Sequence, residues 1–143
     1  MDIAFVAGFG PIGTTDARSL DFWSGALGIE FQEPVPGYRT NDELDGVKAF
    51  AIWPLDQAAE STFGTRSWPK ELPVPQAWVE LDVASPEAVE AAASELIASG
   101  HTMLRTATLE PWGQWTCRLQ SPEGLLVGVS YTPWMHDEGE TPS

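Results

Sequence analysis

Glu110 to Trp134, EPWGQWTCRLQSPEGLLVGVSYTPW, is the stretch whose reading decides the fold. At its centre Ser121-Pro122-Glu123-Gly124 places Ser, Pro and Gly at the first, second and fourth corners, the residue preference of a type I turn. The arm before the turn, Gln114 to Gln120, interleaves polar and apolar residues, and the arm after it, Leu125 to Tyr131, is apolar and β-branched. A hairpin follows, with one strand partly exposed and the other buried. Upstream, Gln76 to Val83 alternates, with Trp78, Glu80 and Asp82 on one face and Val79, Leu81 and Val83 on the other. The apolar face must meet a helix capped by Ser85, opened by Pro86, burying Val89, Ala92, Ala93, Leu96 and Ile97, and stopped at Gly100. Thr102 to Thr108 supplies one more strand, so this half reads strand, helix, strand, strand, strand.

The N-terminal half gives the same order. Ile3 to Phe9 reads as a strand ended by Gly10-Pro11, and Thr15 or Asp16 caps a helix with Leu20, Trp23 and Leu27 at helical spacing and Gly28 as its stop. Ile29 to Glu33, a short strand from Tyr38, and Val47 to Trp53 complete it. Between Pro54 and Pro75 the pattern lapses into a Pro-rich linker holding one helical piece, Gln57 to Phe63; its length suits a lid or a crossing between halves, with Trp68 as an anchor. The expected organisation is a single domain: a first module over 1–53, a linker over 54–75, a second module over 76–135 and a polar, frayed tail over 136–143.

This order, with Pro-Trp-Gly at 111–113 before the seventh strand, Ser-Pro-Glu-Gly before the eighth, and Ser19-Leu20-Asp21-Phe22-Trp23 followed by Leu27-Gly28-Ile29-Glu30-Phe31, resembles the vicinal oxygen chelate superfamily of glyoxalases, extradiol dioxygenases and bleomycin-resistance proteins. The resemblance covers nearly the whole chain and implies an α+β fold of two βαβββ modules forming a curved mixed sheet. It also implies a homodimer and, in most members, a divalent metal held on the concave face by His, Gln or Glu from the first and last strand of each module. Counting back from the Ser85 cap and forward from the Ser121 turn places the second module's two positions at Trp78 and Gly128. In the first module they fall near Gly8 or Phe9 and near Ala49. None of these residues is a metal ligand. His136 lies in the tail and His101 just after a helix stop, so neither histidine restores the set, and no metal or other cofactor is expected.

Composition narrows the partners. The 143 residues carry a formal net charge of −14, which disfavours nucleic acid and anionic membranes by repulsion. Cys117 is the only cysteine, so an intramolecular disulfide is impossible. The start lacks a basic leader region, and no apolar run approaches the ~20 residues of a membrane helix, so a cytoplasmic location is expected.

What the concave face holds instead is aromatic and acidic. Trp78 and Glu80 point to it, Gly128 leaves space, Trp112 and Trp115 flank the seventh strand, Trp53 closes one end, and Glu110 stands nearby. Tryptophans beside carboxylates suit a planar, preferably cationic small organic ligand bound without covalent chemistry, each cation–π contact contributing about 0.5–2 kcal/mol. Metal-free relatives of the bleomycin-resistance type, which sequester a drug without changing it, point the same way. Two alternatives stand beside this reading. One is a metal-independent lyase or isomerase in which Glu80 or Glu110, desolvated by tryptophan, acts as a base with help from His101. The other is a purely structural module whose tryptophans fill the cup.

Overall fold

The computed structural model describes residues 1–14 and 16–136. The chain runs β1 (Phe5–Gly13), α1 (Arg18–Leu20, continued by a π-helical stretch Asp21–Ala26), β2 (Gln32–Val35), β3 (Tyr38–Asn41), β4 (Phe50–Pro54), α2 (Leu55–Phe63), β5 (Ala77–Asp82), α3 (Pro86–Ala98), β6 (Arg105–Leu109), β7 (Trp115–Gln120) and β8 (Leu126–Tyr131). A 3₁₀ turn, Pro133–Met135, follows. The β7–β8 hairpin closes as its residues dictate. The Gly124 N–H donates to the Ser121 carbonyl at 2.9 Å, the Leu125 N–H donates to the Ser121 hydroxyl at 3.1 Å, and Gly124 takes a φ of 87°, which strains any residue with a side chain.

All eight strands join one open, curved mixed sheet in the order β2-β3-β4-β1-β5-β8-β7-β6. In each half the first strand lies parallel to the last, β1 with β4 and β5 with β8, and the halves meet where β1 runs antiparallel to β5. The sheet is therefore continuous within a single chain. Helix α3 is capped as expected, the Ser85 hydroxyl accepting from the Ala88 N–H at 3.1 Å. It buries Val89, Ala92 and Ala93 against Val83, Cys117 and Val129 on one face of the sheet. Of the other two residues expected in the core, Leu96 is only half-buried and Ile97 is exposed.

The first half departs further from the expected pattern. β1 continues through Gly10-Pro11 to Gly13 instead of stopping at Phe9, because the missing Pro11 N–H is bracketed by pairing at Phe9 and Ile12. The helix is mostly π-wound, which breaks the 3.6-residue period: Trp23 packs on Phe50 at 5.4 Å between ring centres, while Phe22 and Leu27 face solvent. The N-cap residue is Ala17, not Asp16, although the Asp16 carboxylate accepts from the Arg18 N–H at 3.0 Å; the other cap candidate, Thr15, lies outside the described residues. β2 starts at Gln32 and carries Pro34, which an edge strand tolerates. The linker is not loose: α2 buries Ala58, Ala59, Ser61 and Thr62, and Trp68 meets Phe63 edge-on at 4.9 Å between ring centres while donating to the Pro73 carbonyl. His136 is docked rather than frayed, and the rest of the tail, 137–143, lies outside the described residues. No helix among the described residues is long and apolar enough to cross a membrane.

Cys117, fully buried under α3, has its thiol pushed up by burial from 9.0 to about 11. Burial raises the Tyr38 hydroxyl as well. A raised acid favours the folded state only while protonated, so the contribution of Cys117, on the order of 3 kcal/mol, is fully present below about pH 9 and is lost as pH rises through about 11. Urea unfolding across this window should show Cys117→Ala losing less stability with rising pH than the parent chain. Parallel losses would place the thiol outside the sealed core.

Candidate functional site

Strand register sets Gly8, Glu80, Gly128 and Arg118 in one row across β1, β5, β8 and β7. Glu80 and Arg118 stand two strand spacings apart, roughly 10 Å between backbones, and reach each other because Gly128 between them has no side chain. Arg118 Nη1 donates to Glu80 Oε1, and the Ser130 hydroxyl donates to Glu80 Oε2. A Cβ at Gly128 would collide with that carboxylate. Glu80 is 4% and Arg118 1% exposed, so this is a buried ion pair. The Arg118 guanidinium also lies over Trp53, 4.9 Å from its ring centre, and Trp53 meets Trp78 edge-on at 5.5 Å. Arg118 Nε has no hydrogen-bond acceptor, a cost of about 1–3 kcal/mol that the Trp53 face offsets in part. Trp78 crosses above Gly8, where a Cβ would strike its ring, and donates through Nε1 to the Ala51 carbonyl at 3.3 Å.

Above this floor lies a cavity of about 470 Å³. Trp53, Trp78, Trp112 and Trp134 give it aromatic walls, Tyr38, Gln57, Gln114 and Thr132 give it polar points, and Ala7, Gly8 and Ala49 keep it open. One rim is tied by a chain of hydrogen bonds: Trp112 Nε1 donates to Gln114 at 2.9 Å, Gln114 to the Thr132 hydroxyl at 2.8 Å, and Thr132 to Asp82 at 2.8 Å. Asp82 also holds His136 at 2.6 Å, which fixes the segment carrying Trp134 over the cavity.

Of the residues singled out in the sequence, Trp53, Trp78, Glu80 and Trp112 line this cavity. Trp115 does not: on β7 it alternates with Arg118 and packs with Cys117 on the α3 face. Gly128 lies beneath the Glu80 carboxylate rather than on the wall, and Glu110 opens into an adjacent groove. His101 is exposed after α3 and belongs to neither. Sequence reasoning missed Tyr38, Gln57, Gln114, Thr132 and Trp134 on the cavity wall and, most consequentially for the floor, Arg118. Its signal was the hairpin itself: counting back from the turn puts Arg118 opposite Gly128, and the alternation of β7 then aims it into the cup.

The residues on the cup floor do not fit a divalent metal. Gly8, Ala49, Trp78 and Gly128 offer no side-chain donor atom, the Trp78 ring and the Glu80 carboxylate occupy the space that longer side chains at Gly8 and Gly128 would need, and Glu80 is committed to Arg118 and Ser130. No group of three or more His, Cys, Asp or Glu converges on one point among the described residues.

No family model matches the sequence. No curated protein matches it either. Solved structures do. The chain is similar to the NAD-dependent benzaldehyde dehydrogenase from Legionella pneumophila, with 13% identity over 87% of this chain and 96% of that one and a TM-score of 0.60. It is similar to a glyoxalase/bleomycin resistance protein/dioxygenase superfamily member from Vibrio splendidus, with 17% identity over 92% of this chain and 100% of that one and a TM-score of 0.54. At such identities the likeness is one of fold: this is a glyoxalase-like βαβββ pair.

Proposed function

We propose that the chain is a glyoxalase/bleomycin-resistance-like member of the vicinal oxygen chelate superfamily that binds a planar small organic molecule in its cup, non-covalently and without metal. The observation that carries this reading is the cavity itself: about 470 Å³, walled by tryptophan, over a floor whose one carboxylate is neutralised in place by Arg118. Stacking on Trp112 and Trp78 holds a flat ring system, and Gln57, Gln114 and Tyr38 orient it by hydrogen bonding. A cation matched to Glu80 was the expectation from counted carboxylates. With Glu80 already paired, the ring meets a neutral floor. The same pairing weighs against Glu80 as a general base, since each of its oxygens already accepts a hydrogen bond.

The cup is assembled by one chain, so binding needs no second copy. Homodimer formation belongs to the same proposal, through the free edges of β2 and β6. Sedimentation at twice the chain mass would support it, and a monomer at micromolar concentration would end it.

Uncharged planar probes such as naphthylmethanol should quench tryptophan emission saturably. Trp112→Ala, at a half-exposed position, should weaken this about tenfold, a loss of about 1.4 kcal/mol, with stability unchanged. Elemental analysis of the binding-competent protein after dialysis should find no stoichiometric metal. Binding that requires about one divalent metal per chain, or a panel of planar compounds that leaves emission untouched, overturns the reading.

A further inference from the structure

Beside the cup lies a second groove of about 770 Å³, and Val35, Trp53, Gln57 and Trp112 line both. Its distinctive group is Glu110. The carboxylate is only 4% exposed, yet no Lys, Arg or His among the described residues pairs with it. Oε1 takes the hydroxyls of Ser61 on α2 at 2.8 Å and Thr116 on β7 at 2.9 Å. Oε2 accepts nothing from the described residues and is not among their sealed, unpartnered polar atoms, so its open side is the groove. A buried carboxylate without a cation is costly to the fold, and two hydroxyl donors do not supply the missing charge.

We infer that this groove is the second compartment of the ligand site and takes a cationic amine or amidine carried by the planar ligand, with Glu110 Oε2 as the acceptor and counter-charge. The inference deepens the cup reading and rests on it for the position of the ring. Arg39, Arg66 and Arg105 also line the groove. Arg66 is bound by Asp56 and Glu60 and Arg39 is paired with Glu33, which leaves Arg105 as the groove's one arginine without an ion pair among the described residues; Arg105 is only half-buried, whereas Glu110 is desolvated. The buried charge therefore governs the floor of the groove, because Coulomb attraction strengthens as water is excluded.

Calorimetric titration of naphthylalkylamines of increasing chain length against naphthylmethanol and naphthylacetate tests this. The parent chain should bind the best amine about tenfold more tightly than the alcohol, and Glu110→Gln should erase that preference while leaving alcohol binding intact. Glu110→Gln should also unfold no earlier than the parent, since Gln keeps an acceptor for Ser61 and Thr116 and removes an unpaired buried charge. Equal binding of amine and alcohol by the parent, tighter binding of naphthylacetate, or an amine preference that survives in Glu110→Gln overturns the inference. If no naphthyl compound binds, the cup reading fails, and butylammonium, which cannot stack, decides the groove alone. A saturable shift of the Trp112 indole N–H in the parent and its loss in Glu110→Gln would uphold the site, and no shift in the parent would overturn it.

Discussion

The ion pair between Glu80 and Arg118, made across Gly128, is the constraint on which the cup depends. Removing two such charges from water costs several kcal/mol per ion, and only close pairing with further hydrogen bonds offsets it. Each neighbouring feature serves that pairing. Gly128 clears the path, Ser130 satisfies the second carboxylate oxygen, and Trp53 lays its face on the guanidinium. Trp53 in turn fixes Trp78, whose ring needs the bare backbone of Gly8. The row from β1 to β7 thus binds the two halves of the sheet into one surface, and it leaves the floor of the cavity neutral.

That floor stands where the resemblance places metal ligands. Gly8, Ala49, Trp78 and Gly128 offer no side-chain donor at those positions, and the space above them is taken partly by the pair and partly by a cavity. The rest of the chain then encloses the space. Helix α2 crosses from the first half to reach Glu110 of the second, and Asp82 holds the segment from Thr132 to His136. Charge is consequently divided between compartments: neutralised in the cup and left unpaired at Glu110 in the groove.

Much of this was legible in the sequence where local chemistry and burial agree. The Ser121–Gly124 turn, the Ser85 cap and the alternation of β5 each follow from a few adjacent residues, and together they set the second half. The first half was harder, because α1 winds as a π-helix and β1 runs through a proline, and neither obeys the period a sequence pattern assumes. In the site, residues facing the cup could be read strand by strand, as with Trp78 and Glu80. Partnerships across strands could not, because they depend on register: Arg118 meets Glu80 only through a glycine that belongs to a third strand. Trp115 shows the converse error, since nearness to the cup in sequence does not override the alternation that turns it toward α3.

Urea unfolding of Glu80→Leu, Arg118→Met and the double variant measures the central claim most directly. Either single change leaves one charge buried alone and should cost about 3–5 kcal/mol, or abolish folding, whereas the double variant leaves none and should lose far less than the sum of the singles. Losses that simply add would mean that the two side chains stabilise the fold independently, and that the cup is not organised around their pairing.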